Sequence, residues 1–257
     1  MLLLVAISTF SVGLVSPPKS TAEPIVVHVV VLLADNLYQG IVPVRPPLGD
    51  GGDPGENLYW GAQYGFDTHF KKSGWRRIEA QPSKHESVLA RSAFTRLIRG
   101  RPVVVVGEAW NGRHSRGFLE RYLMLLSGDA KAETIKSENR TISVGPDADL
   151  VVYVGHNVLM DLTPPSLDHL KHRKIDTVLL GCQSEKYFRP MLDLIGSKPW
   201  VSTTSNMAPE AYTLEALIRA YARGESPARV RRAAAAAYAR YQNISLRSAS
   251  RVFAGAN

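Results

Sequence analysis

A histidine and a cysteine stand where they could act together as a nucleophile and its base. Cys182 is the only cysteine among the 257 residues, and His156 precedes it by 26 residues. A thiol is mostly protonated at neutral pH, and a neighbouring imidazole raises the fraction of reactive thiolate. The alternative is that Cys182 is a small buried hydrophobe, because free cysteines are among the most buried residues in proteins.

Each residue of this pair follows an apolar run and a glycine. The run "VVYVGHN" (151–157) contains His156, and the run "DTVLLGC" (176–182) ends in Cys182. Runs of this kind are typical of strands that a parallel sheet buries on both faces. A single strand–helix–strand crossover between them would place the two strand ends side by side, about 5 Å apart.

The residues next to this pair also suit nucleophilic chemistry. Gly155 and Gly181 remove bulk beside the two side chains, so a substrate backbone could come close. The backbone amides of Asn157 and Cys182 are the natural donors for an oxyanion. A helix is predicted to begin just after Cys182, and the dipole at its N-terminus favours a thiolate.

Strand and helix patterns alternate along the chain. This alternation predicts an α/β fold, a three-layer sandwich with a mostly parallel central sheet and helices on both faces. No long linker divides the sequence, and its 45% hydrophobic content can fill the core of one domain. The predicted strands are 25–35, 75–81, 101–110, 148–157, 175–182 and 199–205. The predicted helices are 57–74, 115–128, 163–174, 184–196, 208–224 and 226–242.

Other polar residues end the predicted strands. In an open parallel sheet, ligands bind beyond the carboxyl ends of the strands. The first predicted strand delivers Asp35 to that edge and the third delivers Glu108. The sixth delivers Thr203, Thr204 and Ser205. An alternative for Asp35 is that it caps the turn that follows its own strand.

The N-terminal residues predict export. Met1 to Val15 is an almost unbroken apolar stretch, too short to span a bilayer comfortably. Two prolines and then small residues follow, so we interpret residues 1–22 as a signal peptide and 23–257 as a single domain exported by a bacterium, periplasmic or secreted. A membrane-tethering helix is the alternative. No later apolar run reaches about 18 residues, so no membrane span is expected in the mature chain.

The charge balance leaves two interpretations open. The formal net charge is +8, from 31 Lys and Arg against 23 Asp and Glu. A solvated surface accounts for such a balance, and an anionic partner is the alternative. The last predicted helix has a basic side with only two tyrosines nearby, so no nucleic-acid binding is expected. No cofactor and no metal are expected, because nothing completes a metal site around His169 and His172.

The two strand-end motifs resemble those of the caspase, legumain and gingipain superfamily of cysteine peptidases. "VVYVGHN" matches the block with the catalytic histidine, and "DTVLLGCQS" matches the block with the cysteine. The resemblance covers residues 148–205 and, more loosely, the first predicted strand, and it implies a caspase-like fold with His156 and Cys182 as catalytic residues. It also implies an oxyanion site at the amides of Asn157 and Cys182. Strand ends would wall the pocket for the residue before the cleaved bond, with Asp35, Thr203, Thr204 and Ser205 as candidates.

The favoured function is therefore cysteine-dependent hydrolysis of peptide bonds in a peptide or protein substrate. If Asp35 lines the pocket, substrates with Arg or Lys before the scissile bond would be preferred, because a buried carboxylate needs a cationic partner. One alternative is a non-catalytic caspase-like domain that binds a peptide or protein partner in the same crevice. Another is a basic surface module for envelope polymers. The oligomeric state stays open.

Overall fold

The computed structural model describes residues 22–137, 140–167, 170 and 175–256. Within these residues the chain forms strands, α-helices and short 3-10 turns. The strands are β1 Ile25–Leu32, β2 Arg76–Ile78, β3 Val88–Ile98, β4 Arg101–Trp110, β5 Glu133–Ser137, β6 Arg140–Val144, β7 Leu150–Val154, β8 Asp176–Leu180, β9 Pro199–Thr203 and β10 Phe253–Ala254. The helices are α1 Phe66–Lys72, α2 Ser115–Ser127, α3 Ser184–Leu194, α4 Ala211–Ala222, α5 Pro227–Tyr241 and α6 Leu246–Ser250.

Eight strands form one sheet in the order β10-β9-β8-β7-β1-β4-β3-β2. The neighbours from β9 to β4 are parallel, whereas β2, β3 and β10 pair antiparallel at the two edges. Strands β5 and β6 form a separate hairpin. The strand order reverses at β1, which has β4 on one side and β7 on the other. Such a switch point opens a crevice at the carboxyl ends of the strands.

Both faces of the sheet are covered, and the predicted α/β fold with a mostly parallel central sheet is confirmed. Helices α1, α4 and α5 pack on one face, and α2, α3 and the β5–β6 hairpin pack on the other. Alternate residues of β1 point to the two faces of the sheet. Val27 and Val29 pack under α1, α4 and α5, whereas Val26 and Val30 pack under α2, α3 and the hairpin. Because both faces are covered, every residue of β1 is buried, which explains its nearly unbroken apolar sequence.

A buried ionic cluster lies between the sheet and α2. Glu108 of β4 is fully buried, with its Oε1 3.0 Å from Arg121 Nη2 of α2 and 3.2 Å from His28 Nε2 of β1. The His28 ring approaches at ion-pair distance but without the alignment of a hydrogen bond. Glu133 lies 3.2 Å from Arg121 and 2.7 Å from Arg91. We call these five residues the Glu108 cluster.

Opposing effects act on the carboxylate at the centre of this cluster. Burial alone would raise the pKa of Glu108, because a charged group is poorly solvated there. The neighbouring His28 and Arg121 outweigh burial and hold the pKa of Glu108 well below its usual range. The cluster therefore contains an ionised carboxylate at neutral pH that depends on its basic neighbours.

A second buried carboxylate joins α1 to α4. Glu215 accepts hydrogen bonds from His69 Nε2 at 2.9 Å, Trp75 Nε1 at 2.9 Å and Arg219 Nε at 2.7 Å. Burial would raise the pKa of Glu215, but these donors outweigh it and lower the pKa to about 2. Because the folded-state pKa lies below the unfolded value of about 4.3, the carboxylate stabilises the fold above that pH and loses this effect as the pH falls towards 2.

We expect acid to destabilise the wild-type protein more than the Glu215→Gln variant. As the pH falls from 4.5 to 2, the free energy of unfolding of the wild type should drop by about 2.5 kcal/mol relative to the variant, because only the wild type must protonate this carboxylate. Urea unfolding at a series of pH values measures the difference. Glu120→Gln, on the exposed side of α2, is the control, and parallel pH curves for Glu215→Gln and wild type would contradict the expectation.

All six predicted strands are present, most of them shorter than expected, and the structure adds β3, the β5–β6 hairpin, α6 and β10. The helix predicted at 57–74 is mostly wrong, since α1 covers only the end of that range. Before α1, the amides of residues 60–62 all converge on the Asn57 carbonyl oxygen. A Cβ on Gly61 would lie 1.8 Å from the Gly55 carbonyl oxygen, so the chain makes a tight turn there.

Several expectations concern residues outside the described ones. The predicted signal peptide, except for Ala22, lies outside the described residues. His169 and His172 also lie outside them. Of the helix predicted at 163–174, the described residues 163–167 are not helical. In the described part of the chain, no helix combines the length and apolar character needed to cross a membrane.

Candidate active site

His156 and Cys182 follow two strands that lie side by side. β7 and β8 are parallel neighbours, and their last paired residues are Val154 and Leu180. Each of the two candidate residues therefore lies two positions beyond its strand, at the same edge of the sheet. His156 is 5% exposed and Cys182 is half-buried. The adjacency expected from a single crossover is present in the structure.

The two glycines before this pair allow three backbones to approach closely. Gly155 has φ +130°, and a Cβ there would lie 2.7 Å from the Leu32 carbonyl oxygen of β1. A Cβ on Gly181 would lie 2.8 Å from the Gly155 carbonyl oxygen. The space that the sequence suggested for a substrate is thus filled by neighbouring strands. The glycines hold the strand ends together rather than open a channel.

We expect Gly155→Ala to destabilise the protein by at least about 2 kcal/mol, because it adds a steric clash to an unfavourable backbone conformation. Gly196→Ala is the matched control, since Gly196 also has a positive φ (+69°) but nothing lies within 4 Å of its added Cβ. The control should lose about 1 kcal/mol, from backbone conformation alone. Denaturant midpoints measure both variants, and equal losses would contradict the proposed close approach to β1.

Asn157 ties the two strand ends together. It is fully buried, its Nδ2 donates to the Cys182 carbonyl oxygen at 2.7 Å, and its Oδ1 accepts from the Leu159 amide at 3.2 Å. Among the described residues, no acceptor pairs with the backbone amides of Asn157 and Cys182. Both amides lie at the carboxyl edge of the sheet, which is compatible with the predicted oxyanion site.

Asp161 is a functional candidate that the sequence reading missed. Its Oδ2 lies 2.6 Å from His156 Nε2 and also accepts the Gly40 amide at 3.1 Å. Gly40 belongs to the loop after β1, and Asp161 follows a 3-10 turn at Val158–Met160. The carboxylate thus joins the loops that follow β1 and β7 at the switch point. Only its position five residues after His156 could have indicated this contact.

The Cys182 thiol has a hydrogen-bond partner other than the histidine. It donates a hydrogen bond to the Met207 carbonyl oxygen at 3.6 Å, and in the described part of the chain no hydrogen bond joins it to His156. The next residue, Gln183, has φ +51°. This value lies in the left-handed region of the backbone, which residues other than glycine seldom adopt. Strain of this kind is concentrated at functional sites.

Buried phenols belong to the same core cluster as Met207, the hydrogen-bond partner of the thiol. Burial raises the pKa of Tyr59, and the neighbouring Cys182 and Glu210 add to this effect. Burial likewise raises the pKa of Tyr238, whose hydroxyl accepts the Ala208 amide at 3.3 Å. Burial also raises the pKa of Glu210, against a hydrogen bond from Tyr212.

The predicted pocket residues have other contacts. Asp35 is 3% exposed, and its Oδ1 accepts the amides of residues 37 and 38 at 2.9 and 3.1 Å, so it caps the turn after β1. The Thr203 hydroxyl donates to the Gly181 carbonyl oxygen, and the Thr204 hydroxyl donates to a backbone carbonyl before β10. Ser205 is half-buried, and its carbonyl oxygen accepts the amide of residue 183 at 3.0 Å. A pocket role for these residues stays a prediction.

Comparison with known proteins finds no relative of this chain. No family model matches the chain, and no curated protein or solved structure matches it. The resemblance to cysteine peptidases therefore stays a prediction that depends on the two strand-end motifs, and the function must be inferred from the site itself.

Proposed function

We propose that the protein hydrolyses peptide bonds with Cys182 as the nucleophile and His156 as the general base and acid. The observation that carries this proposal is the position of both residues just beyond adjacent parallel strands, at the edge where such sheets bind ligands. The unpaired amides of Asn157 and Cys182 support it, because they could hold the oxyanion of an acyl-transfer reaction. The motif resemblance to the caspase, legumain and gingipain superfamily points to the same chemistry.

The reaction would begin with a rotation of the Cys182 side chain from the Met207 carbonyl oxygen towards the crevice. His156 takes the thiol proton, and the thiolate forms a bond to the carbonyl carbon while the two amides stabilise the oxygen. The carbon–nitrogen bond then breaks, and His156 gives its proton to the leaving amine. Water hydrolyses the resulting thioester with His156 as base, which releases the acid and restores the thiol.

Thiol reactivity and peptide cleavage together test this proposal. At pH 6, iodoacetamide should alkylate Cys182 at least about tenfold faster in the wild type than in His156→Ala, because the imidazolium stabilises the thiolate. A diverse peptide library should be cleaved by the wild type and not by the alkylated protein. Equal alkylation rates together with no cleavage of any peptide would overturn the proposal.

In this reaction Asp161 would act as a positioning residue. If His156 Nε2 donates to Asp161 at 2.6 Å, the other ring nitrogen is the one that exchanges a proton with Cys182. The carboxylate also stabilises the imidazolium that forms when the thiol loses its proton. The amide of Gly40 holds the carboxylate in place from the opposite loop.

We expect Asp161→Asn to lower kcat/KM for peptide cleavage by about 100-fold to 10,000-fold, because the amide favours the wrong tautomer of His156 and does not stabilise the imidazolium. Asp161→Glu should recover part of the activity, and Asp193→Asn on the exposed side of α3 should have no effect. The pH dependence of alkylation should change in parallel with activity. An active Asp161→Asn variant with an unchanged alkylation profile would show that the contact is only structural.

One specific feature favours the non-catalytic alternative. In the resting arrangement the thiol is hydrogen bonded to the Met207 carbonyl oxygen, while the His156 side chain is 4% exposed and paired with Asp161. If the domain only binds a peptide in this crevice, the Cys182→Ala variant should bind that peptide as tightly as the wild type does. Isothermal titration with peptides that are bound but not cleaved would identify that case.

A further inference from the structure

Positive charge is concentrated in the last part of the chain. Six of the 31 Lys and Arg residues lie in 226–257, and none of the 23 Asp and Glu residues does. This segment therefore carries +6 of the formal net charge of +8. It includes α5 and α6, which pack against each other beside the β9 edge of the sheet. Such an uneven distribution of charge indicates an anionic partner rather than general solubility.

Three of these arginines form one exposed stripe along α5. Arg229, Arg232 and Arg240 are exposed, as is Ala236 between them. The spacing of three, four and four residues places all four positions on one side of a helix. The opposite side of α5 is buried in the core. Because only alanine separates the arginines, a flat surface could approach the whole stripe.

The protein does not neutralise the positive charges on the exposed surface of α5 and α6, which we call the α5–α6 face. Arg247 in α6 and Arg251 at the end of α6 are also exposed. Among the described residues, none of the exposed arginines of 226–256 forms an ion pair with a carboxylate. By contrast, Arg219 and Arg223 in α4 and at its end each contact a glutamate. The α5–α6 face therefore presents uncompensated guanidinium groups, which favour bidentate contacts with phosphate.

Apolar side chains are exposed at one end of the same face. Tyr241, Ile244 and Leu246, where α5 meets α6, are 40%, 41% and 42% exposed. Arg240 lies beside this corner, with its guanidinium 5.8 Å from the centre of the Tyr241 ring. Basic residues flanking exposed aliphatic and aromatic residues are typical of surfaces that bind at a membrane interface.

We propose that the α5–α6 face docks onto an anionic phospholipid surface. Lipid phosphates would neutralise the arginine stripe, and the interfacial region would take up Ile244 and Leu246. A nucleic acid would satisfy only the arginines, because its phosphate backbone offers no apolar layer for the corner. The inference does not depend on the peptidase proposal, since Cys182 and His156 take no part in it.

Vesicle flotation of the full chain tests this inference. The wild type should bind vesicles that contain phosphatidylglycerol more tightly than vesicles of phosphatidylcholine alone, and added NaCl should weaken the difference. The triple variant Arg229→Gln, Arg232→Gln, Arg240→Gln should bind the anionic vesicles about 100-fold more weakly. The matched control Arg45→Gln, Arg99→Gln, Arg116→Gln removes the same charge from exposed positions elsewhere and should bind nearly as the wild type does.

A second variant separates the apolar contribution. Ile244→Ser with Leu246→Ser should weaken binding by about tenfold or more with an unchanged dependence on salt, because it removes buried apolar area and no charge. Unfolding midpoints near that of the wild type would verify that all variants are folded. Equal losses in the two triple variants would overturn the inference. So would preferential binding of duplex DNA with no preference for anionic vesicles.

Discussion

Replacing Cys182 with alanine should lower kcat/KM for peptide cleavage by at least about 1,000-fold, because no other group can form the thioester intermediate. The stability of the fold should change by less than about 1 kcal/mol, because the half-buried thiol makes only a weak hydrogen bond to the Met207 carbonyl oxygen. Assays of purified wild type and variant against the same peptide library measure the activity. Thermal unfolding of both proteins measures the stability.

The matched control for this variant is Cys182→Ser, which keeps the shape of the side chain and a hydrogen-bonding group. It should be folded and nearly inactive, since a hydroxyl is far less nucleophilic than a thiolate. Cleavage by Cys182→Ala at the wild-type rate would exclude the thiol from catalysis and leave binding as the function of the crevice.

Glu108→Ala should reduce the free energy of unfolding by about 3–5 kcal/mol, the range measured when one partner of a buried ion pair is removed. Arg121 and His28 would then face each other in the core without the carboxylate that lies 3.0 and 3.2 Å from them. Glu108→Gln should cost less, because it keeps the shape and an acceptor oxygen. Urea unfolding at pH 7 measures both variants.

Glu120→Ala is the control for the Glu108 prediction, because Glu120 is on the exposed side of α2 and its loss should change stability by less than about 0.5 kcal/mol. The pH dependence of the free energy of unfolding gives a further comparison between the wild type and Glu108→Ala. Because the folded-state pKa of Glu108 lies far below its usual range, the stabilisation is complete above about pH 4.3 and decreases in acid. A loss below 1 kcal/mol in Glu108→Ala would show that the cluster relaxes or admits water.

The parts of the fold that the sequence predicts best are the strands buried on both faces. β1, β7 and β8 have no polar side to maintain, so their apolar runs stand out from the surrounding sequence. Single crossovers then make β7 and β8 neighbours. The position of His156 and Cys182 just beyond adjacent strands is therefore predictable from local pattern and topology alone.

Strand β3 was missed because it is an antiparallel strand with several polar residues. Among them, Arg91 belongs to the buried Glu108 cluster, and Arg96 donates hydrogen bonds to backbone carbonyl oxygens near the end of α1. The sequence carries one signal for this strand, Gly100 in the turn that joins β3 to β4. In the structure Arg99 and Gly100 have φ +50° and +77°, as in the two-residue turns that hairpins favour. Glu108, expected at the end of its strand, lies inside β4 and faces α2.

Details of the site depend on contacts that no local pattern encodes. Asp161 reaches His156 through a 3-10 turn and meets Gly40 from a segment 121 residues away. The rotamer of Cys182 is set by the Met207 carbonyl oxygen, and the capping role of Asp35 by the turn after β1. These are tertiary contacts, and single-sequence periodicity reports only on the residues of one element.

The central position of β1 also has consequences for the time course of folding. β1 pairs with β4 from Ile25↔Val103 onward and with β7 up to Val31↔Val154, at sequence separations of 78 and 123 residues. At a synthesis rate of roughly 5–20 residues per second, the β7 side of this valine-rich strand has no native partner for roughly 6 to 25 s. Such a strand is prone to aggregate. The nascent chain should therefore depend on a holding chaperone until β7 emerges, and pulse-chase synthesis with and without chaperones measures that dependence.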